Sequence, residues 1–279
     1  MDSVTAPCMT RWKITELAEV ASTNTLAKEL LLAGQARHGD VIQARHQTAG
    51  RGRAPGRQWQ DETGNAVLMT LVIERVPVRP ECMQYMAALA TLTAIRELVR
   101  KNGGDAASVF LKWPNDILMS GKKVCGILTE AIWQGTAMRA GLVGIGVNVH
   151  QKLFFGALEA TATSFHQLGI ELTVNEVRDA ILHRLQLDVR RYKAVGMPNA
   201  QERLLEALRK ELAWMSDTPP LFVTVHGRPV LHDMIYAGIG EAGTLLLRNS
   251  HGEIVTLHAG SIEWDEPVRG IAVTPLTVE

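Results

Sequence analysis

The chain has 279 residues, of which 46% are apolar and 21% charged, and its 29 Lys and Arg are matched by 29 Asp and Glu. This composition excludes a largely disordered chain, and a formal net charge of zero gives no global pull toward nucleic acid or an anionic membrane. No stretch approaches the roughly 18 consecutive apolar residues of a membrane span, and Met1 to Ile14 lacks the apolar run of a secretory signal.

The first element predicted is a helix opening at Ser22-Thr23-Asn24, with Leu26, Leu30 and Leu31 on one side and Gly34 as its stop. Val41 to Arg45 reads as a short strand. The segment from Gln47 to Trp59 holds too much Gly and Pro for a helix or a regular strand. Ala66 to Ile73 is apolar and β-prone and is predicted as a buried strand. Glu81 to Lys101 is the longest helical pattern, ended by Gly103-Gly104. Two short strands, Val109–Trp113 and Ile117–Met119, flank a turn at Pro114-Asn115-Asp116. Lys123–Trp133 and Thr136–Val149 form a hairpin around Gln134-Gly135. Two helices follow, one striped by Val177, Ile181, Leu185, Val189 and Tyr192, the other by Leu204, Leu208 and Leu212. After Ser216-Asp217-Thr218-Pro219-Pro220 everything is short and β-like. Turns are expected at His226-Gly227-Arg228, Glu241-Ala242-Gly243 and Ser250-His251-Gly252. A domain boundary is expected near residue 217, with a small SH3-like barrel beyond it.

The Gly/Arg segment carries the strongest chemical signal. Arg45, Arg51, Arg53 and Arg57 crowd together in a chain without net charge. Glycines let the backbone wrap closely around a ligand, and guanidinium forks suit phosphate or carboxylate. Like charges so close repel, so the loop is expected to be mobile until an anion neutralises it. Trp59 offers a flat face at its end. Lys112 to Asp116 reads alone as an ordinary turn, although Lys112 could reach a phosphate and Asn115 could read a base edge. Lys122 and Lys123 precede a strand, where adjacent side chains face opposite ways. One is expected inward; a charged hairpin tip is an equal reading. Gly144 and Gly146 share one face of a strand that ends at Asn148. They either admit a ligand against the backbone or serve packing. Ser22 is in the first instance a helix N-cap.

Two spellings mislead. Gly238 to Gly243 matches GxGxxG but precedes a strand, not a helix, and Gly121-Lys122 lacks the upstream glycine of a P-loop, position 116 being Asp. The nine histidines show no close metal-ligand spacing. Cys8, Cys82 and Cys125 are widely spaced with no CxxC, which suits a reducing cytoplasm better than a disulfide framework.

Taken together, Gly50-Arg51-Gly52-Arg53 to Trp59, Lys112-Trp113-Pro114-Asn115-Asp116, Lys123 to Leu128 and Gly144 to Asn148 resemble, in order and spacing, the bacterial biotin protein ligases. Ser22-Thr23-Asn24 and the small C-terminal β unit fit the same pattern, so the resemblance runs from about Leu17 over nearly the whole chain. It implies an α+β fold: a mixed-sheet catalytic domain (15–216) like that of class II aminoacyl-tRNA synthetases, then an SH3-like domain (217–267). It implies that the biotin carboxylate attacks the α-phosphate of ATP, giving biotinyl-5′-AMP, and that a lysine of a biotin carboxyl carrier domain then takes the biotin. Mg2+ would accompany the ATP phosphates, with no metal ligands assigned.

The resemblance also implies site roles. Ser22, Thr23, Asn24 and Gln47 surround the ureido end of biotin, and Gly50, Gly52, Gly126, Leu128, Gly144 and Gly146 line the rest of its pocket. Arg51 and Lys123 meet the carboxylate and α-phosphate, and Arg53, which also borders the biotin, contacts phosphates together with Arg57. Arg57, Trp59, Lys112, Asn115 and Asn148 serve the nucleotide, with Trp59 under the adenine. Lys123, Arg51, Arg53 and Lys112 are the expected catalytic set. The loop departs from the family pattern by one extra residue, at Ala54-Pro55. The 21 residues before Ser22 are too few for the N-terminal DNA-binding domain that some members carry, so no DNA binding is expected. A monomer or weak homodimer in the cytoplasm is expected. A lipoate ligase-like acyl transferase and a non-enzymatic biotin or nucleotide binder are the alternatives.

Overall fold

The computed structural model describes residues 12–53, 56–225, 228–264 and 268–271. Cys8, Ala54, Pro55, the expected turn residues His226-Gly227 and the last residues of the expected C-terminal unit lie outside them. A seven-stranded mixed sheet is built from β1 (Lys13–Val20), β2 (Asp40–Gln47), β3 (Ala66–Glu74), β4 (Val109–Lys112), β5 (Asp116–Met119), β6 (Lys122–Gln134) and β7 (Ala137–Asn148). Its order is β1-β2-β3-β7-β6-β5-β4, with only β1 and β2 parallel among its pairs. That parallel pair needs a crossover, which helix α1 (Thr23–Leu32) supplies. β1 was not anticipated: it is an edge strand with mostly exposed residues, so it carries no apolar signal to read.

Central β3 is buried along almost its whole length because helices cover both sheet faces. On one face, Ala27 and Leu31 of α1 pack on Ile42, Val72 and Leu142. On the other, Val67, Met69, Leu71 and Ile73 meet α2 (Met83–Lys101), behind which lie α4 (Val174–Val195) and α5 (Met197–Leu212). Each Leu, Ile, Val or Met fully buried in these layers contributes about 1.5–3 kcal/mol. The stripe predicted for α4 is buried at Val177, Ile181, Leu185 and Val189, and Thr173 with Glu176 closes its N-terminus in a capping box. A one-turn helix α3 (Leu158–Thr161) interrupts the loop after β7.

The texture change at Asp217 coincides with the end of a 3-10 turn, Ala213–Asp217. A five-stranded antiparallel sheet follows: β8 (Leu221–Val225), β9 (Arg228–Ile239), β10 (Leu245–Arg248), β11 (Ile254–Leu257) and β12 (Ser261–Trp264), in the order β11-β10-β9-β8-β12. It is not an independent ball on a tether. Leu221, Val223, Ile262 and Trp264 join the same buried cluster as Leu208, Leu212 and Met215. Trp113 Nε1 donates both to Tyr85 Oη and to the Gly243 carbonyl, each at 3.1 Å. Arg53 donates to the Gly260 carbonyl.

Gly243 is where this joint is tightest. Its φ of +75° disfavours a side chain, and a Cβ there would lie 2.1 Å from Tyr85 Cε2. Tyr85 is buried and held by Trp113, so it cannot retreat. Gly243→Ala is expected to cost about 2–4 kcal/mol through overpacking and backbone strain. Gly252→Ala, at φ +82° with open space around it, should cost only about 1 kcal/mol. Urea unfolding at unchanged m-value measures both, and equal losses would contradict the packing argument.

Candidate functional site

The end of β2, the start of α1 and the middle of strands β3, β7 and β6 enclose a first cavity. Ser22 is the N-cap of α1 by backbone geometry, yet its side chain makes no capping bond and lines this cavity instead. Thr23 donates to Gln47 Oε1 through its backbone N–H at 2.8 Å and its hydroxyl at 3.1 Å. Both acceptor positions of that oxygen are thereby filled, and the Gln47 NH2 is the part left to meet a ligand. Asn24 is buried, and its Oδ1 sits 2.3 Å from where a Cβ of residue 144 would be, so glycine is required there. Leu128, Gly144 and Thr70 lie side by side across three strands, as do Gly126, Gly146 and Leu68.

The Gly/Arg segment is a hairpin-like arm. Gly52 N–H donates to the Arg57 carbonyl at 2.7 Å and Trp59 N–H to the Gly50 carbonyl at 3.0 Å, with Arg51 bridged to Gln58. The base of the arm is pinned where it enters. His46 Nδ1 lies 2.8 Å from Asp61 Oδ2, and Asp61 also accepts from the Gln47 backbone. Burial pushes the Asp61 carboxyl up, and the bonds from His46 and Gln47 oppose this. The arm carries the Trp59 indole onto the floor made by Gly126 and Gly146. A Cβ at residue 146 would be 2.8 Å from the ring, and one at residue 126 would be 3.1 Å from it. The paired glycines therefore seat the ring of Trp59, so of the two readings of these glycines the packing one describes this contact, and the cavity lies beside it.

A second cavity opens on the other side of Trp59, toward β4, β5 and the C-terminal sheet. Arg57, Lys112, Asp116, Glu263 and Trp264 are among its walls. Gly52, Arg53, Trp59, Asn115 and Lys123 line both cavities and mark their junction. Lys123 Nζ is held there by Asp116 Oδ1 at 2.7 Å and lies 5.9 Å from the Trp59 ring centroid. Lys122 points elsewhere and donates to the Glu159 carbonyl at 3.3 Å. Burial pulls the Arg53 guanidinium below its usual value, with Asp116 and Tyr85 opposing, but an arginine remains charged. Burial also pulls the Lys112 ammonium down, against the attraction of Asp116 and Glu263. Two cations thus stand at a junction between two cavities, and further cations flank it. Such an arrangement can draw two anionic groups together and stabilise charge developing between them.

Of the residues singled out from the sequence, the structure brings Ser22, Thr23, Asn24, Gln47, Arg51, Gly52, Arg53, Lys123, Gly126, Leu128, Gly144 and Gly146 to the first cavity. It brings Arg57, Trp59, Lys112 and Asn115 to the second. Asn115 spends its amide on the Ile127 carbonyl at 2.9 Å. Gly50 is packed against Gln47 and Trp59 at the base of the arm. Asn148 lines neither cavity; it is buried and donates to the Thr163 carbonyl at 2.9 Å. Sequence reading passed over Thr70, Glu130, Asp61 and the contribution of Ser261, Glu263 and Trp264. Thr70 had a signal, being the one hydroxyl in the apolar run Ala66 to Ile73. The C-terminal residues had none, because only the joint between the sheets brings them near.

Residues 17–148 match the model of the Biotin/lipoate A/B protein ligase family. The chain is 32% identical over 249 residues to a biotin--[acetyl-CoA-carboxylase] ligase of Paracoccus denitrificans, covering 86% of this chain and 95% of that one. It is 32% identical over 253 residues to the bifunctional ligase/repressor BirA of Bacillus subtilis, covering 88% of this chain and 71% of the relative. Among solved structures, the biotin protein ligase from Aquifex aeolicus in complex with biotin and ATP superposes with a TM-score of 0.69 over 90% of this chain and 97% of that one. At 21% identity this likeness speaks for the fold. With matches of this length to sequences of one kind, the chain belongs to the biotin protein ligases of the Biotin/lipoate A/B protein ligase family.

Proposed function

We propose that the protein activates biotin with ATP to biotinyl-5′-AMP and transfers the biotin to a lysine of a biotin carboxyl carrier domain. The observation that carries this reading is the pair of cavities meeting at Arg53, Trp59 and Lys123. The first has an apolar floor and a polar end formed by Ser22, Thr23 and Gln47, which suits a ureido ring on an aliphatic chain. The second has cations for phosphates in Arg57 and Lys112, and flat faces for a base in Trp59 and Trp264.

In the first step a carboxylate oxygen of biotin attacks the α-phosphorus. An O–P bond forms, the bond to pyrophosphate breaks, and pyrophosphate leaves. Both reactants are anions, so the barrier lies largely in charge repulsion and alignment. Lys123 and Arg53 supply the cations at the meeting point, Arg51 stands at the mouth, and Lys112 with Arg57 holds the phosphates. Asp116 keeps the Lys123 ammonium in place. No protein nucleophile is needed. In the second step the carrier lysine, as a neutral amine, attacks the acyl carbon; a C–N bond forms, the C–O bond breaks, and AMP leaves. Mg2+ bound to the ATP phosphates would supply further charge neutralisation there. Glu263 and the Asp116 oxygen not paired with Lys123 line the second cavity and would be the hard oxygen donors toward it, the phosphates completing the set because no cluster of three or more such side chains occurs among the described residues.

We assign the catalytic unit to residues 15–216 and the appended unit to 217–267, with Ser261, Glu263 and Trp264 of the latter completing the nucleotide wall. The chain is read as a monomer or weak homodimer working in the cytoplasm without DNA. The balance of 29 basic against 29 acidic residues gives no global pull toward nucleic acid, which supports the DNA-free part of this reading. Among the described residues no helix is long and apolar enough to cross a membrane.

Incubation with ATP, Mg2+, labelled biotin and an apo carrier domain should place covalent label on the carrier. Label on lipoate-accepting domains with lipoate, and none with biotin, would overturn the substrate. Lys123→Ala should cut biotin-dependent pyrophosphate release by about 10²–10³-fold, as loss of a preorganised charge does. Lys122→Ala should stay within about twofold, as surface changes do, and a reversed ranking would refute the assignment. Promoter fragments of biotin-synthesis genes should show no specific, salt-dependent mobility shift at nanomolar protein; such a shift would overturn the DNA-free reading.

A further inference from the structure

Glu130 touches neither cavity, yet it ties the wall of the first cavity to the arginine arm. Its Oε1 accepts from Asn24 Nδ2 at 3.0 Å and from Arg51 Nη2 at 3.2 Å. Asn24 Nδ2 also donates to the Leu128 carbonyl at 3.3 Å. Thr70 Oγ1, fully buried, lies 2.5 Å from Asn24 Oδ1 and 2.9 Å from Thr23 Oγ1. Arg51 Nη2 reaches Thr25 Oγ1 as well, at 3.2 Å.

The directions of the bonds at Asn24 are forced. A carboxylate and a carbonyl only accept, so the Asn24 NH2 must face Glu130 and Leu128. The Asn24 oxygen then faces Thr70 and takes the one hydroxyl proton that Thr70 has. Thr23 receives none from Thr70, and its backbone N–H, at 2.8 Å, fixes the Gln47 oxygen toward it. The Gln47 NH2 is left toward the cavity, where it can donate to a ligand carbonyl. Were the Asn24 amide reversed, two oxygens would confront its oxygen, and the Thr70 hydroxyl would lose its acceptor.

We infer that Glu130 is a positioning residue of the acid-binding site: it fixes the Asn24 amide and with it the Thr70 hydroxyl that packs behind Thr23, and through the same oxygen it holds Arg51 beside the mouth of the cavity. It acts through these residues and does not touch the substrate. The ion pair with Arg51 is half-exposed (side chains 51% and 26% accessible) and would be worth little by itself. The bond to Asn24 is the one that matters, because Asn24 itself is buried and losing the bond leaves one of its amide protons without an acceptor inside the protein. This inference rests on the ligase reading, so the substrate it bears on is biotin.

The test is biotin-dependent ATP–pyrophosphate exchange by wild type, Glu130→Ala and Glu130→Gln, with KM measured for each substrate. Exchange by wild type is the control for the ligase reading; its absence would sink that reading whatever the variants do. Glu130→Ala should raise the KM for biotin about tenfold, as a stranded buried donor does, while the KM for ATP stays near that of wild type. Glu130→Gln keeps an acceptor for Asn24 and loses only the charge toward Arg51. Its KM for biotin should stay within about threefold, in line with a weak exposed ion pair. Thr70→Val strands Asn24 Oδ1 from the other side and should show the same split, which keeps the inference testable if the alanine variant does not fold. It is overturned if the biotin KM is unchanged in Glu130→Ala or Thr70→Val, if both KM values rise together, or if glutamine is as damaging as alanine.

Discussion

The site turns on one contact, the Trp59 indole lying across two strands that have no side chains beneath it. Gly126 and Gly146 are paired neighbours in β6 and β7, and a Cβ at either would press into the ring. An arm carrying three described arginines repels itself and needs an anchor. The ring supplies it by exchanging water for a flat backbone surface, and the bonds at Gly50 and Gly52 fix the register of the stem. Once the ring is seated, it forms a wall of both cavities at once. Arg53, six residues earlier on the arm, then reaches the junction.

The second constraint is the joint between the sheets. A five-stranded sheet of this size has little core of its own. It shares that of the larger sheet through Leu221, Ile262 and Trp264. The tie from Trp113 to Gly243 crosses the same boundary and uses a buried Tyr85 whose hydroxyl is pushed up to about 12 by burial and therefore stays protonated. The consequence for function is direct. Glu263 and Trp264 reach the second cavity only because β12 pairs with β8 at the end of the small sheet nearest Lys112, whose ammonium lies 5.9 Å from the Trp264 ring.

Much of this was legible in the sequence, and the residues show why. Helices with a long apolar stripe, such as α2 and α4, announce themselves by period, and the hairpin of β6 and β7 by its length and its Gln134-Gly135 turn. The Gly/Arg arm was legible because that composition has no structural purpose of its own. β1 was not, because an exposed edge strand has no apolar alternation to detect. Roles that depend on distant partners were also hidden. Glu130 looks like any solvent-side residue of a strand, and only its approach to Asn24, 106 positions away in the chain, gives it meaning. Asn148 shows the converse. It ends a glycine-marked strand and so attracts attention, yet the fold uses its amide to hold the loop at Thr163.

Each charged group at the junction already has a partner within the protein. Lys123 rests on Asp116, Arg51 on Glu130, and Arg53 on the Gly260 carbonyl. Binding of an anion is therefore an exchange of partners and not the filling of a bare cationic hole. An unpartnered cluster of this density would cost several kcal/mol per half-buried ion, which the fold avoids by lending carboxylates and a carbonyl until substrate arrives. The exchange keeps the net gain small for any single anion. Two anions brought to the junction repel each other, and the ammonium and guanidinium groups they free from these partners offset that repulsion. The same cations then lie beside the charge that develops as a carboxylate joins a phosphate, where a preorganised donor lowers the barrier most.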